Sequence, residues 1–214
     1  MKSENISIIK YLKSLDIKLP LNNTKYVLVG GYPHKNKIDG GKQFCEELIR
    51  DFEKPVKILD CIYARPRELW EQVFQKDITF LKTHLPEESF EIKLAVPKNF
   101  TEQVKWADTI YLRGGDTGEL IKLLSQIPDW IHELNSKTLA GTSAGANVIS
   151  KYYYDLSGLK LSNGLGILPI KIIVHWKSDY NSPNIDWDKA YSDLENYKEN
   201  LPILTLKEGE YKVL

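Results

Sequence analysis

Leu139-Ala140-Gly141-Thr142-Ser143-Ala144-Gly145 decides the reading of this chain. A short apolar run, Leu139–Thr142, enters a cluster of small residues with the order G-x-S-x-G. That order suits a sharp turn from a strand into a helix. Small neighbours permit a strained backbone and leave the serine hydroxyl open to an approaching molecule. A helix beginning at Ala144 points its free N–H groups at the same spot, where an oxyanion would be stabilised. The competing explanation is a strand–helix turn that merely needs small residues.

Outward from this turn, short β-rich runs alternate with longer amphipathic ones. Lys25–Gly30, Val56–Tyr63, Phe90–Ala95 and Thr109–Leu112 read as strands, and Lys171–His175 as a late one. Gly41–Phe52 reads as a helix with Phe44, Leu48, Ile49 and Phe52 on one face, and Arg67–Lys82 as a helix behind Pro66. Asp116 with Glu119 three residues on resembles a capping box, followed by apolar positions at helical spacing from Leu120 to Ile131. Ile203–Leu206 and Tyr211–Leu214 read as a closing hairpin around Glu208-Gly209. Strands alternating with helices predict an α/β fold with a mainly parallel sheet covered on both faces, its sites at the carboxyl ends of the strands.

The chain has 214 residues, 42% apolar and 27% charged, with 29 basic residues balancing 29 acidic ones. This excludes disorder as the main state and predicts one domain over 1–214, with 1–22 a helical extension around Ile6–Leu15. Zero net charge speaks against nucleic acid and anionic membrane surfaces as partners. Cys45 and Cys61 are too few for a disulfide framework and fit a reducing compartment. The N-terminal stretch lacks the apolar core of a signal peptide, and no apolar run is long enough for a membrane span, so a cytoplasmic location is expected.

A serine nucleophile needs a base. His132 and His84 read as surface or helix-end residues, and His34 lies in the loop after the first strand. His175 ends an apolar run and is the one histidine after Ser143, which makes it the expected general base. For the acid that orients it, Asp155 is the first choice, with Asp179 and Glu208 as rivals. Arg113-Gly114-Gly115-Asp116-Thr117-Gly118 ends strand four, and its backbone N–H groups could complete an oxyanion hole with that of Ala144. It lacks the dinucleotide order G-x-G-x-x-G. Gly40-Gly41-Lys42-Gln43 fails as a phosphate loop, because Asn36 stands where the first glycine belongs and Gln43 replaces the Ser/Thr. No Cys/His spacing suggests zinc. Tyr152-Tyr153-Tyr154 reads as core and pocket wall.

Gly141–Asn147 (GTSAGAN) resembles the nucleophile segment of the peptidase E family of aspartyl dipeptidases, whose relatives include cyanophycinase. Asp108–Thr117 (DTIYLRGGDT) is similar to that family's strand and glycine-rich turn, and Gly164–Leu168 before a strand ending in His175 also fits. The likeness runs from about Lys25 to Leu214. It implies a three-layer α/β/α fold like class I glutamine amidotransferases (flavodoxin-like), with serine in place of their cysteine. It implies hydrolysis of short peptides or related amides through an acyl-enzyme, with no metal and no cofactor. Carried over, Ser143 is the nucleophile, His175 the base, Gly115 and Ala144 the oxyanion donors, and Asp155 the favoured acid. Asp116, Thr117 and Trp176, beside these groups, are the expected substrate contacts, and a homodimer is compatible with the family.

Three departures stand out. Asp116 replaces the usual Asn of the glycine turn. Val174-His175-Trp176-Lys177 lacks the usual proline before the histidine and the small polar residue after it. The stretch SDYNSPNIDWDKAYSDLENY contains none of the arginines found there in aspartyl-specific enzymes. An aspartate side chain needs a cationic partner, so Asp-X specificity is not supported. The alternative function is a non-catalytic binding or regulatory member of the same fold.

Overall fold

The structure, a computed structural model, describes residues 23–179 and 184–214. The expected N-terminal helix at Ile6–Leu15 lies outside the described residues. Among the described residues, ten strands form two sheets. The first contains β1 (Lys25–Val29), β2 (Val56–Cys61), β3 (Phe90–Leu94), β4 (Thr109–Leu112), β5 (Thr138–Thr142) and β10 (Tyr211–Val213), in the order β10-β1-β5-β4-β2-β3. All its pairings are parallel except that of β10 with β1.

Period-two alternation explains why this sheet is covered on both faces. Val27 and Val29 of β1 and Val56 and Ile58 of β2 pack against α1 (Lys42–Ile49) and α2 (Trp70–His84) through Phe44, Leu48 and Leu81. Tyr26, Leu28, Leu59, Ile110 and Leu112 face the other way. There they meet α3 (Phe100–Trp106), α4 (Thr117–Ser125) and α5 (Ala144–Ile149) through Phe100, Val104, Leu120, Leu124 and Val148. The result is the three-layer α/β/α architecture expected from the sequence.

The second sheet joins β6 (Ser150–Asp155), β7 (Lys160–Asn163), β8 (Leu168–Ile173) and β9 (Ile203–Thr205) in the order β7-β6-β8-β9. Tyr153, Ile170 and Ile172 point into the core beneath α5, while Tyr152, Tyr154 and Ile173 pack on α6 (Trp187–Glu195) through Ala190 and Leu194. The aromatic run Tyr152–Tyr154 is therefore a strand that serves two cores at once.

Two expectations are corrected. Ile203–Leu206 and Tyr211–Leu214 are not a hairpin. β9 runs parallel to β8, pairing Ile172 with Leu204, whereas β10 runs antiparallel to β1, pairing Val27 with Val213. Splitting the two strands satisfies an exposed edge on each sheet, which one hairpin would not. The helix after Asp116 also stops at Ser125, and Trp130–Leu134 forms a separate 3-10 turn. Pro128 lies between them, where it cannot continue a helix. Among the described residues no helix is long and apolar enough to cross a membrane.

Candidate active site

Ser143 joins β5 to α5 with φ 52° and ψ −109°, a conformation L-residues rarely adopt. Two backbone hydrogen bonds hold it there. Its N–H donates to Val29 O (2.9 Å), and its carbonyl accepts the Asn147 N–H (3.0 Å). The flanking glycines answer a packing demand, since a Cβ on Gly145 would lie 2.0 Å from Leu112 O. The backbone of α5 thus rests directly on β4, and the G-x-S-x-G order follows from that contact.

His175 lies two residues beyond β8, at φ 51°, and is only 2% exposed. Its N–H donates to Gly30 O (2.8 Å), which ties it to the carboxyl end of β1. Gly31 leaves room for the ring, because a Cβ there would sit 2.2 Å from the imidazole Cε1. Ser143 Oγ and His175 Nε2 are 2.9 Å apart, and His175 Nδ1 stands 3.1 Å from Glu208 Oε1. Burial works against the Glu208 carboxylate, but hydrogen bonds from Lys35 and His175 outweigh it and hold its pKa below the ordinary glutamate value. An ionised carboxylate only accepts, so Nδ1 carries the imidazole proton and Nε2 is free to accept the serine hydroxyl. Burial pulls the His175 pKa below the ordinary histidine value. Glu208 offsets this in part, and the nearby Lys35 charge adds to it.

The acid facing the imidazole is thus Glu208, not Asp155. Asp155 ends β6, where its Oδ1 accepts the Ser157 N–H (3.0 Å) and shapes the turn into β7. The other rival, Asp179, is exposed. Glu208 reaches the site because the link between β9 and β10 crosses from one sheet to the other past His175. The separation of the two strands thus decides which carboxylate is presented.

The glycine turn after β4 lies against Ser143. A Cβ on Gly114 would be 3.2 Å from Ser143 Cβ and 3.8 Å from its Oγ. Among the described residues, neither the Gly115 N–H nor the Ala144 N–H donates to a backbone carbonyl. Asp116 spends its carboxylate on the start of α4, accepting the Glu119 N–H (2.9 Å). Half of the expected capping box is present, since the Asp116 N–H donates to Ala64 O (2.8 Å) rather than to Glu119. Thr117 Oγ1 accepts from Asn147 Nδ2 (3.3 Å), joining the turn to α5. Trp176 packs against Trp187 (5.3 Å) and Tyr191 (6.1 Å), on the side of α6.

Beneath the turn lies a buried polar group absent from the residues that the sequence analysis singled out. Asp60 and Asp77 meet Arg113, whose Nε is 2.8 Å from Asp77 Oδ2, as an ion pair rather than an aligned hydrogen bond. Arg113 Nη1 donates to Tyr111 OH (3.2 Å), and Tyr111 OH lies 2.9 Å from Thr142 Oγ1, next to Ser143 in the chain. Burial pushes the Tyr111 phenol up to about 12. Asp60 is fully buried, and neither of its oxygens finds a hydrogen-bond partner among the described residues. Burial first, then repulsion from Asp77, drives its pKa well above the usual carboxylate range, against the opposing pull of Arg113. The alternation of β2 could have flagged Asp60, since it falls on the same face as Val56 and Ile58.

A three-layer α/β fold that sets a strained serine, a buried imidazole and a carboxylate in line at the ends of its parallel strands has the architecture of a serine hydrolase. The chain belongs to peptidase family S51, whose model matches residues 67–212, and membership makes it a peptidase of the peptidase E type. The fold is similar to that of a peptidase from an acI-B1 Actinobacterium (TM-score 0.62, 24% identity), over 90% of this chain and 83% of that one. It is also similar to a candidate peptidase E protein from Listeria monocytogenes EGD-e (TM-score 0.62, 13% identity), over 89% of this chain and 96% of that one. No curated protein matches the chain.

Proposed function

We propose that the protein is a serine peptidase that cleaves short peptides or related amides through an acyl-enzyme on Ser143. The observation that carries this reading is the chain Ser143 Oγ–His175 Nε2–Glu208, with contacts of 2.9 and 3.1 Å behind a serine held on a strained turn. Ser143 Oγ attacks the scissile carbonyl carbon while Nε2 takes its proton. The N–H groups of Gly115 and Ala144 donate to the oxyanion. The C–N bond breaks, the amine leaves with the proton from Nε2, and an ester on Ser143 remains. Water then attacks the ester with His175 again as base, releasing the carboxylic acid and the free serine. The segment after His175 supplies no arginine for an acidic side chain, so the reading does not extend to Asp-X dipeptides.

A fluorophosphonate probe tests this, because it reacts with activated serines and needs no knowledge of the substrate. Stoichiometric labelling of Ser143 that His175→Ala abolishes is the expected result. A folded protein that stays unlabelled is a binding member of the family rather than an enzyme.

A further inference from the structure

The loop after β1 holds both the base and the acid. Gly30 O accepts the His175 N–H (2.8 Å), and Gly31 O accepts the Gly209 N–H (2.7 Å). Asn36 Nδ2 donates to Gly209 O (2.9 Å). The side chains of the loop follow the same path. The Tyr32 ring meets the His175 ring edge-on at 5.6 Å. Lys35 Nζ lies 4.2 Å from the Tyr32 ring centroid and 2.5 Å from Glu208 Oε2.

We propose that Lys35 is a positioning residue, which holds the second carboxylate oxygen of Glu208 so that the first faces His175 Nδ1. The chain of contacts then runs Lys35–Glu208–His175–Ser143. A lysine pairing with an exposed carboxylate does little. Here the lysine side chain is 49% exposed, but the carboxylate is 16% exposed and the imidazole behind it is buried, so solvent reaches only the outer end of the arrangement. The Tyr32 ring also confines the ammonium, which reduces the entropy lost in fixing a long side chain. Among the described residues, the groups that face His175 include Ser143 from the β5–α5 turn, Glu208 from the β9–β10 link, and Tyr32 and Lys35 from the β1 loop. His34 stands on the Tyr32 ring at 5.7 Å, one residue further out.

Lys35 acts on His175 through Glu208. The aimed carboxylate raises the imidazole pKa more than the Lys35 charge lowers it, so a Glu208 that swings away leaves the imidazolium less supported. The proposal rests on the serine-peptidase reading only for its consequence in catalysis, so its test begins with a signal that needs no activity. The Cε1–H resonance of His175, identified by its loss in His175→Asn, is titrated by NMR. In Lys35→Met its midpoint falls by about half a pH unit, because the imidazolium loses the aimed carboxylate. In Lys35→Arg, which keeps the charge and the donors, it stays near the wild-type value. At about pH 8 phosphonylation of Ser143 slows about threefold in Lys35→Met and recovers in Lys35→Arg. A folded Lys35→Met protein whose His175 midpoint is unchanged or higher overturns the proposal, since a rise is what loss of the Lys35 charge alone produces. Absent labelling of the wild type would overturn the peptidase reading instead, and the NMR titration would still decide the role of Lys35.

Discussion

Glu208→Gln keeps the size of the side chain and removes the charge on which Nδ1 depends. Two losses follow from the geometry. The carboxylate stabilises the imidazolium that forms as Ser143 attacks, at a separation of 3.1 Å. With an effective dielectric of about 20, a unit pair at that distance interacts by roughly 5 kcal/mol. The ion pair with Lys35 and the partial exposure of Glu208 reduce this figure. The second loss concerns the proton. An amide can donate to Nδ1, which favours the tautomer whose Nε2 carries the hydrogen, and that nitrogen cannot accept the serine hydroxyl. Together they predict a fall in reactivity of about 10³–10⁴-fold, similar to the loss when a triad carboxylate becomes an amide elsewhere. The assay is the second-order rate constant for phosphonylation of Ser143, followed by intact mass at pH 8, where His175 is neutral. Asp155→Asn serves as the contrast and stays within about twofold of wild type, because Asp155 only shapes the β6–β7 turn. A folded Glu208→Gln protein within tenfold of wild type would refute the assignment. So would an Asp155→Asn protein slowed as severely.

Three further outcomes follow from the same geometry. Ser143→Gly removes the hydroxyl and relieves a backbone held at φ 52°. The relief of about 1–3 kcal/mol, less about 0.5–1 for the freer unfolded chain, leaves a protein more stable by about 1 kcal/mol yet unlabelled by the probe. Calorimetry showing no rise in Tm would contradict the strain. His175 must be neutral to act as a base, and its pKa lies below the ordinary 6.5, so the phosphonylation rate falls to half only below that pH. A midpoint at or above it would contradict the buried setting. Asp60 keeps a proton in the native state that the unfolded chain releases above about pH 4. The native state then binds more protons, and wild-type stability declines as pH rises through that window. Asp60→Asn lacks the titration, so its urea midpoint gains on wild type as the pH rises above about 4, whereas a constant gap would show Asp60 to be ionised.

The nucleophile turn was legible because its causes are local. Gly141, Ser143 and Gly145 are fixed by a close contact between neighbouring elements, and small residues at set spacing record such contacts directly. The alternating runs of the parallel sheet were legible for the same reason. His175 could be placed because an apolar run ends just before it. The acid could not be chosen, because what selects Glu208 over Asp155 is the pairing of strands distant in sequence. Nothing within Ile203–Leu214 states that its two short strands belong to different sheets, and a Glu-Gly pair between two apolar runs reads as a hairpin turn. Lys35 was likewise invisible, since its partner lies 173 residues away. The strand at Tyr152–Tyr154 was obscured because both of its faces are apolar, which removes the alternation that marks a half-buried strand.

Where the acid sits along the polypeptide also bears on when the protein could first become reactive. A growing chain that has emerged only as far as Leu206 already carries the alcohol and the imidazole. It still lacks the carboxylate that aligns them and the strand that pairs with Lys25–Val29. The alignment of hydroxyl, imidazole and carboxylate is therefore among the last features the fold completes, and it waits on the meeting of segments far apart along the polypeptide.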